Sequence, residues 1–283
     1  MKVTKLRKVI AGNKKAVPGL VLLSIVMVAA VFAPLLAPYD PNEQNTSLRL
    51  RPPAALGGPD GFMLGTDPLG RDVLSRVIYG ARVSLLVGLV SVAIAGVIGV
   101  TLGVIAGYYG RVADAIVMRL VDFQMAIPFL LLALGVMAVL GPSLRNVIIV
   151  LALTGWVVYA RVARAQVLAI KQKEFVQSAV AAGASDLRIL ARYILPNILP
   201  PLVVVATVEV GRTILAEASL SFLGLGVEPS TPTWGSIAAD GRDYVSLAWW
   251  VSTVPGFAIL LTVLGTNFLG DWLREKFDPT LRI

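Results

Sequence analysis

The sequence contains neither cysteine nor histidine. The missing cysteines exclude disulfide bonds and thiol nucleophiles, the missing histidines exclude a Ser-His-Asp triad, and the two absences together remove the usual zinc ligands. Hydrolytic or metal-dependent chemistry is therefore not expected of this chain. Charged residues are also scarce, at 15% of the chain, whereas hydrophobic residues make up 57%. This composition is typical of an integral membrane protein rather than of a soluble domain.

Six apolar segments approach the roughly 20 residues that a helix needs to cross a bilayer. They lie near residues 17–38, 83–107, 116–140, 146–165, 199–222 and 248–270. The first follows a basic stretch, as a signal peptide would, but its apolar run is too long, and Pro34 and Pro38 follow the small residues where cleavage would occur. The sequence therefore predicts an all-α, polytopic membrane protein with six transmembrane helices, the first of them uncleaved.

The basic residues predict the orientation of these spans. With a cytoplasmic amino terminus, the inside segments hold 17 lysines and arginines, and the outside segments hold seven arginines and no lysine. The positive-inside rule then places both termini in the cytoplasm. The net charge of +8 would also suit a nucleic-acid-binding protein, but all eight lysines lie in three segments that this orientation explains. Nucleic acid is therefore not expected as a partner.

The stretch AAGASDLRILARYILPN (181–197) reads like a piece of soluble protein between two apolar segments. Gly183 is placed to end one helix with a positive φ, and Ser185 is placed to cap the next, with Asp186 in its first turn. Pro196 is expected to end that second helix. The pattern predicts a helix, a glycine elbow and a capped helix on the cytoplasmic side.

This second helix places Leu187, Leu190 and Ile194 on one side and the pair Arg188 and Arg192 on another. Two interpretations fit the spacing. The hairpin packs on its own bundle or on anionic lipid headgroups, or it forms a compact knob that fits a groove on a partner protein.

The second span carries small residues at four-residue spacing: Ser91, Ala95, Gly99, Gly103 and Gly107. Small residues on one face let two helices approach closely in lipid. The close partner is either another helix of this chain or a second subunit, and the spacing does not choose between them.

Three charged residues interrupt the fifth apolar run, namely Glu209, Arg212 and Glu217. A charge at the bilayer centre costs roughly 2.5 to 3.5 kcal/mol on insertion scales, so these groups are expected to face the bundle interior or a water-filled path. Glu209 and Arg212, three residues apart, either neutralise each other or, with Glu217, line a translocation path in which both charge signs suit a zwitterionic peptide.

Two external segments, 39–81 and 223–247, read as ordered loops or short helices. The first contains LGTDPLGRD, with Asp67, Arg71 and Asp72. These residues either hold a membrane-surface cap through salt bridges or contact a solute-binding protein, for which the 223–247 loop is an equal candidate.

Several motifs in order resemble one family. FVQSAVAAGASDLRILARYILPN (175–197) is similar to the cytoplasmic EAA loop of ABC importer permeases, with three departures from the idealised pattern, at Gln177, Ser178 and Tyr193. Four further stretches are similar to the dipeptide/oligopeptide/nickel permease family, in the subunit type that pairs with a second permease. They are LGTDPLGRDVLSRVIYGARVSLLVG (64–88), AGYYGRVADAIVMRLVDFQMAIPFLLLAL (106–134), ASLSFLGLGVEPSTPTWG (218–235) and DPTLR (278–282).

The resemblance implies a domain plan and an ATPase-coupling loop. The plan has a cytoplasmic tail (1–16), a first span (17–38), an external loop (39–81), a type I permease core (82–271) with the EAA loop at 166–198, and a second cytoplasmic tail (272–283). The coupling residues would be Gln177, Ser178, Ala179, Gly183, Ala184, Ser185, Asp186, Leu187, Tyr193, Leu195 and Pro196.

The resemblance also implies partners and cargo. An external solute-binding protein delivers a ligand, two permease subunits form the pathway, and two cytoplasmic ATPases that hold ATP and Mg²⁺ drive it, in a bacterial or archaeal cytoplasmic membrane. The chain has no G-x-x-x-x-G-K-[ST] phosphate loop, so it is predicted to bind no cofactor and to be no enzyme. A dipeptide or oligopeptide is the expected cargo, with nickel or another small solute as alternatives.

Two other function classes explain part of the sequence. In a secondary transporter, Glu209, Arg212 and Glu217 would form an ion-coupled site, but the inverted repeats and paired broken helices of that class are not evident. A membrane scaffold or assembly factor would explain the spans but not the cytoplasmic knob.

Overall fold

A computed structural model of the chain describes residues 16–277. The predicted amino-terminal tail, up to residue 15, and the motif DPTLR lie outside these residues. The helices, in chain order, are α1 (Ala16–Val31), α2 (Ala33–Leu36), α3 (Val73–Tyr109), α4 (Arg111–Met125), α5 (Phe129–Leu140), α6 (Leu144–Lys171), α7 (Glu174–Ala181), α8 (Asp186–Ile189), a π-helical turn (Leu190–Ile194), α9 (Leu195–Phe222), α10 (Trp234–Asp240) and α11 (Trp250–Phe277), with short 3₁₀ turns at Thr46–Leu48, Ala54–Leu56 and Arg242–Tyr244.

Four helical segments of the described chain are long and apolar enough to cross a membrane. They are α3, α6, the continuous helix over 186–222, and α11. Between residues 16 and 277 the remaining structure is loops and shorter helices, with one isolated β-bridge between Thr66 and Asp72. The predicted all-α, polytopic fold is confirmed.

The predicted span at 116–140 is not one straight helix. It is divided into α4 and α5, which meet at an angle of 89°. Pro128 stands directly before α5 with an extended backbone, φ −55° and ψ 131°. A proline lacks the N–H of an interior helical residue and disfavours a helical conformation in the residue before it, so it separates the two helices. Counting apolar residues did not reveal this break.

The first predicted span, 17–38, is shorter than expected. Its helix α1 has 16 residues, about 24 Å at 1.5 Å per residue, against a hydrocarbon core of about 30 Å. Residue Phe32 interrupts the helix, and α2 follows with Pro34 in its first turn. The count of six spans therefore stays a prediction.

The small residues of the second span pack within this chain. A Cβ built on Gly99 would lie 2.2 Å from the Trp156 carbonyl oxygen, and one on Gly103 would lie 2.4 Å from that of Ala160. Both partners belong to α6, so α3 and α6 form the closest helix pair along this face. Of the two alternatives for the small-residue face, the contact within the subunit is the one that the structure shows.

The bundle has two ends with different structures. The elbow end contains residues 172–189, together with the last turns of α3 and α6. The cap end contains residues 37–72, the first turn of α3 and the start of α11. There Asp72 caps α3 by accepting a hydrogen bond from the Ser75 backbone N–H at 2.8 Å, and the Trp250 indole donates to the Thr66 carbonyl oxygen at 3.1 Å.

Candidate functional site

The glycine elbow at the end of α7 has the predicted geometry. Gly183 has φ +75°. Its N–H donates to the Val180 carbonyl at 2.9 Å, and the Ala184 N–H donates to the Ala179 carbonyl at 3.0 Å. These two bonds form a Schellman motif, which satisfies carbonyls that the helix end would otherwise leave without partners. The predicted helix-ending role of Gly183 is confirmed.

The start and end of the second helix differ in detail from the prediction. Ser185 occupies the N-cap position with an extended backbone, but its side chain makes no capping hydrogen bond. Pro196 does not end the helix, and that expectation was wrong. The helix passes through the π turn 190–194 and continues as α9 to Phe222. Pro196 follows this π turn inside the continuing helix, and the wider hydrogen bonding of the turn accommodates a residue that has no backbone N–H to donate.

The π turn also changes which residues face the bundle. Ile189 and Ile194, five residues apart, are both buried, whereas Leu187 is 77% exposed. The prediction that Leu187 and Ile194 lie on one side of the helix was wrong, because the i to i+5 spacing of a π turn aligns different residues from those of an α-helix. Val176 and Ala179 complete the buried side from α7.

Large apolar side chains are exposed in the helices on both sides of Gly183. They are Phe175 and Val180 in α7, Leu187 in α8 and Leu195 at the start of α9. We call these four residues the elbow surface. They stand on a frame held by the Schellman motif and the buried isoleucines.

Two of the three residues that depart from the EAA pattern, Gln177 and Tyr193, have defined contacts. The Gln177 side-chain amide donates to the Lys171 carbonyl oxygen at 2.7 Å, which ties α7 back to the end of α6. The Tyr193 ring lies 6.5 Å from the Phe175 ring, measured between centroids. Of the other motif positions, Ser178, Ser185 and Asp186 are exposed and Ala184 is partly buried.

A cavity of about 610 Å³ opens where the α4–α5 bend faces α6 and α9. Two hydrogen bonds hold the Gln124 side chain in the wall of the cavity. The Gln124 amide donates to the Thr154 carbonyl oxygen at 3.0 Å, and its side-chain carbonyl accepts from the Trp156 indole at 2.8 Å. The bend that the sequence did not predict therefore supplies one side of the cavity. The polar residues that line the cavity include Gln124, Thr154, Arg161, Glu209, Arg212 and Thr213.

Glu209 and Arg212 both line this cavity. Arg212 Nη1 lies 3.1 Å from Glu209 Oε1. The Glu209 side chain is 12% exposed and that of Arg212 is 70% exposed, so the carboxylate lies in the wall and the guanidinium extends into the opening. Arg161 adds a second guanidinium on the α6 side. The ion pair that the sequence offered as one alternative is present, whereas the translocation path stays a prediction.

Glu217 lies elsewhere. It is fully buried, with its Oε1 accepting from the Ser221 hydroxyl at 2.7 Å and its Oε2 3.4 Å from the Ser84 hydroxyl. The Ser84 hydroxyl oxygen also accepts from the Trp234 backbone N–H at 3.2 Å. Glu217 thus joins α9, α3 and α10 near the cap end, and the structure does not bring it together with Glu209 and Arg212.

Asp67, Arg71 and Asp72 are all buried at the cap end. Asp67 Oδ2 accepts from Arg71 Nε at 2.6 Å and from Arg76 Nη1 at 2.7 Å. Asp240 Oδ2 accepts from the same two arginines at 2.8 Å each. This geometry favours the cap held by salt bridges for Asp67 and Arg71, whereas Asp72 accepts hydrogen bonds from Ser75 instead. Contact with a solute-binding protein stays a prediction.

Burial raises the pKa of Asp72 above its ordinary value, and hydrogen bonds from the Ser75 hydroxyl and backbone N–H oppose the shift. Its second oxygen, Oδ1, is buried without a hydrogen-bond partner. The free-energy cost of burying this unpaired oxygen is offset by the capping hydrogen bond that Asp72 accepts at the start of α3.

Sequence reasoning missed Arg76, Asp240, Gln124 and Tyr108. Asp240 lies 169 residues from Arg71, and the Tyr108 hydroxyl donates to Asp186 across 78 residues. No local spacing marks such pairs. Gln124 had one signal, because a polar side chain inside an apolar run must find a hydrogen-bond partner.

Family models match the chain over two regions. The model described as a binding-protein-dependent transport system inner membrane component matches residues 99–283, more than half of the chain. The model described as the N-terminal TM domain of oligopeptide transport permease C matches residues 7–53.

Curated relatives are similar over nearly the whole length. The di/tripeptide transport system permease protein DppC of Pseudomonas aeruginosa is 47% identical over 273 residues, 96% of this chain and 90% of the relative. The dipeptide transport system permease protein DppC of Escherichia coli is 47% identical over 271 residues, 95% and 90% of the two chains. The probable D,D-dipeptide transport system permease protein DdpC of Escherichia coli is 42% identical over 275 residues, 97% and 91%.

Solved structures share the fold at lower identity. An inward-facing structure of the MetNI methionine ABC transporter has a TM-score of 0.60 and 22% identity, and covers 72% of this chain and 97% of the matched chain. An amino acid ABC transporter crystallised with histidines has a TM-score of 0.56 and 14% identity, over 71% and 94%. These similarities show a common helical architecture.

Proposed function

The chain belongs to the family of binding-protein-dependent transport system inner membrane components, and from this premise we propose that it forms half of the pathway of an ATP-driven importer. A second permease forms the other half. Two cytoplasmic ATPase subunits bind ATP and Mg²⁺, and an extracytoplasmic binding protein delivers the solute. This chain binds no cofactor and performs no hydrolysis. It lies in the bacterial cytoplasmic membrane with both termini inside, the orientation that its lysines and arginines favour.

The elbow surface is the observation that carries the coupling part of this proposal. An apolar patch on a rigid helix, elbow and helix suits insertion into a groove on a partner protein. Its frame is joined directly to two spans, because α6 leads into it and α9 leaves it. Movement of an ATPase that holds the elbow surface therefore tilts those spans and alters access to the cavity.

The cavity supports a zwitterionic cargo. Arg161 and Arg212 offer guanidinium groups to a carboxylate, and Glu209 offers a carboxylate to an ammonium group. Three relatives carry dipeptide or tripeptide transport in their names, and a short peptide has both charged ends. We therefore propose dipeptides or short oligopeptides as the cargo. Two guanidiniums in the wall disfavour a bare divalent cation such as nickel, by like-charge repulsion.

Co-purification and uptake test this function. The chain is expressed with its second permease and ATPases, then reconstituted in vesicles with the binding protein and a labelled dipeptide. The expected result is a stable complex and uptake that requires ATP. Uptake that persists without ATP under an ion gradient would identify a secondary transporter instead.

A charge on the elbow surface tests the docking role directly. Leu187→Asp places a carboxylate on an exposed apolar tip, and it should abolish ATPase co-purification without unfolding the chain. Leu56→Asp is the matched control, because Leu56 is also exposed but lies in the cap-end loop. ATPase binding that survives Leu187→Asp would contradict docking at this surface.

A further inference from the structure

The elbow end contains a polar contact that the elbow surface does not include. Tyr108, second to last in α3, is buried, and its hydroxyl donates to Asp186 Oδ1 at 2.7 Å. Asp186 is the first residue of α8, directly after the elbow. The bond therefore joins the elbow to a span from which it is separated by 78 residues of chain.

A second residue holds Tyr108 from the side of α6. Lys171, the last residue of α6, donates from Nζ to the Tyr108 carbonyl oxygen at 2.5 Å, and this ammonium lies 5.1 Å from the centre of the Tyr108 ring. Gly107, directly before Tyr108 in α3, packs so tightly on α6 that an added Cβ would lie 2.9 Å from Val167 Cβ. The end of α3 is thus fixed on α6 while its tyrosine reaches the elbow.

The three spans at this end are linked to the elbow in different ways. The chain itself joins α6 and α9 to it, whereas α3 depends on side-chain contacts. Apolar contacts are present, since Val176 and Ile189 belong to the same buried cluster as Tyr108. Packed apolar groups have no preferred direction and allow sliding, whereas a short hydrogen bond to a carboxylate has a defined length and angle.

We propose that Tyr108 is a positioning residue for transport, which carries the displacement of the elbow to α3 through its hydrogen bond to Asp186. This inference rests on the proposed function, because it takes an ATPase as the source of the displacement. In both directions of movement α3 follows the elbow, and since α3 is packed along α6, the two spans move as one unit. Loss of the bond leaves ATPase docking intact and lets the elbow turn about its chain connections to α6 and α9 without displacing the packed α3–α6 pair.

The test is the ratio of solute uptake to ATP hydrolysis in the reconstituted importer. Tyr108→Phe removes the hydroxyl and keeps the ring. Hydrogen bonds to charged groups are worth enough for about a tenfold effect, so uptake per ATP should fall about tenfold while the ATPases still co-purify. Tyr109→Phe is the matched control, because it is the adjacent tyrosine, is exposed, and contacts Tyr108 only edge to face, at 5.1 Å between ring centres. It should keep the ratio of the unaltered importer.

A double-variant cycle separates this role from a general loss of structure. Asp186→Ala should lower the ratio as much as Tyr108→Phe, and the double variant should lower it no further. Only complexes captured through the ATPase are measured, so a reduced yield does not affect the ratio. Losses that add up in the double variant, or an unchanged ratio in Tyr108→Phe, would overturn the inference.

The two proposals fail in different ways. If the unaltered complex shows no ATP-dependent uptake, the proposed function is wrong. If it shows such uptake, and Tyr108→Phe matches it in uptake per ATP, the importer stands and only the role of Tyr108 is lost.

Discussion

Gly103 in α3 lies directly against the backbone of Ala160 in α6, and a Cβ on Gly103 would be 2.4 Å from the Ala160 carbonyl oxygen. No real Cβ approaches a backbone oxygen so closely, and a carbonyl in a helix cannot move aside as a flexible side chain can. Without the hydrophobic effect to drive helix association in lipid, close packing of this kind is a main source of stability.

Gly103→Ala is therefore expected to destabilise the chain, by about 1 to 3 kcal/mol or more, the usual cost of overpacking. Gly135→Ala is the matched control, because Gly135 lies within α5 and nothing lies within 4 Å of an added Cβ. There the higher helix propensity of alanine should leave stability unchanged or slightly higher. Thermal unfolding of both variants in detergent measures the difference. Equal unfolding midpoints would contradict the close α3–α6 contact.

Arg76 stands between two carboxylates at the cap end, and its removal should be costly. In Arg76→Met, Asp67 loses one of its two guanidinium partners while remaining buried, and the bond from Arg76 to Asp240 is lost too. Removing one partner of a buried ion pair typically costs about 3 to 5 kcal/mol. Arg242→Met is the control, since Arg242 pairs with Asp243 on the surface, where such pairs contribute little. Protease susceptibility of the cap-end loop reports the effect, and equal digestion of both variants would count against the network.

Asp72 predicts a pH effect of defined sign. Burial raises its pKa in the folded chain above the ordinary 3.8, so between these two values the folded state holds more protons than the unfolded state. Stability from this residue is then present at low pH and is lost as the pH rises through the raised pKa. Asp72→Asn stays neutral and can still cap α3. Its stability relative to the unaltered chain should grow with rising pH, measured as unfolding midpoints across the acid range. A difference in unfolding midpoint between Asp72→Asn and the unaltered chain that shrinks with rising pH would contradict a raised pKa for Asp72.

Local structure was predictable where a residue type by itself sets the conformation. Gly183 marked the elbow because a positive φ at a helix end favours glycine, and the small residues of α3 indicated a close helix partner. They did not identify it, since the facing residues of α6 follow nearly sixty positions later and the pattern holds no information on direction. The prediction for Pro196 failed for a related reason, because a proline in a first helical turn and a proline that ends a helix look alike in sequence.

The polar contacts of the candidate site were beyond the sequence because their partners are distant. Asp240 joins Arg71 and Arg76, and Asp186 joins Tyr108, only after the helices pack. For Glu217 the sequence did give a signal, because a charge in an apolar run indicates a buried position. It did not indicate where in the bundle that position lies. Burial explains why a charged residue must find partners. The fold decides whether that residue lines a cavity or joins helices.

Glu209 and Glu217 provide a matched pair for testing the cavity, because both are glutamates of α9 in buried or nearly buried positions. Glu209→Gln removes the carboxylate from the cavity wall and leaves Arg212 without its ion-pair partner. If the cavity receives the ammonium group of a peptide, uptake of a labelled dipeptide should fall about tenfold, the effect of losing roughly 1.4 kcal/mol. In Glu217→Gln the amide can keep the hydrogen bonds to Ser84 and Ser221, so correctly folded protein should transport at the unaltered rate. Uptake is normalised to complex captured through the ATPase. A loss confined to Glu217→Gln would place the pathway near the cap end and remove the cavity from it.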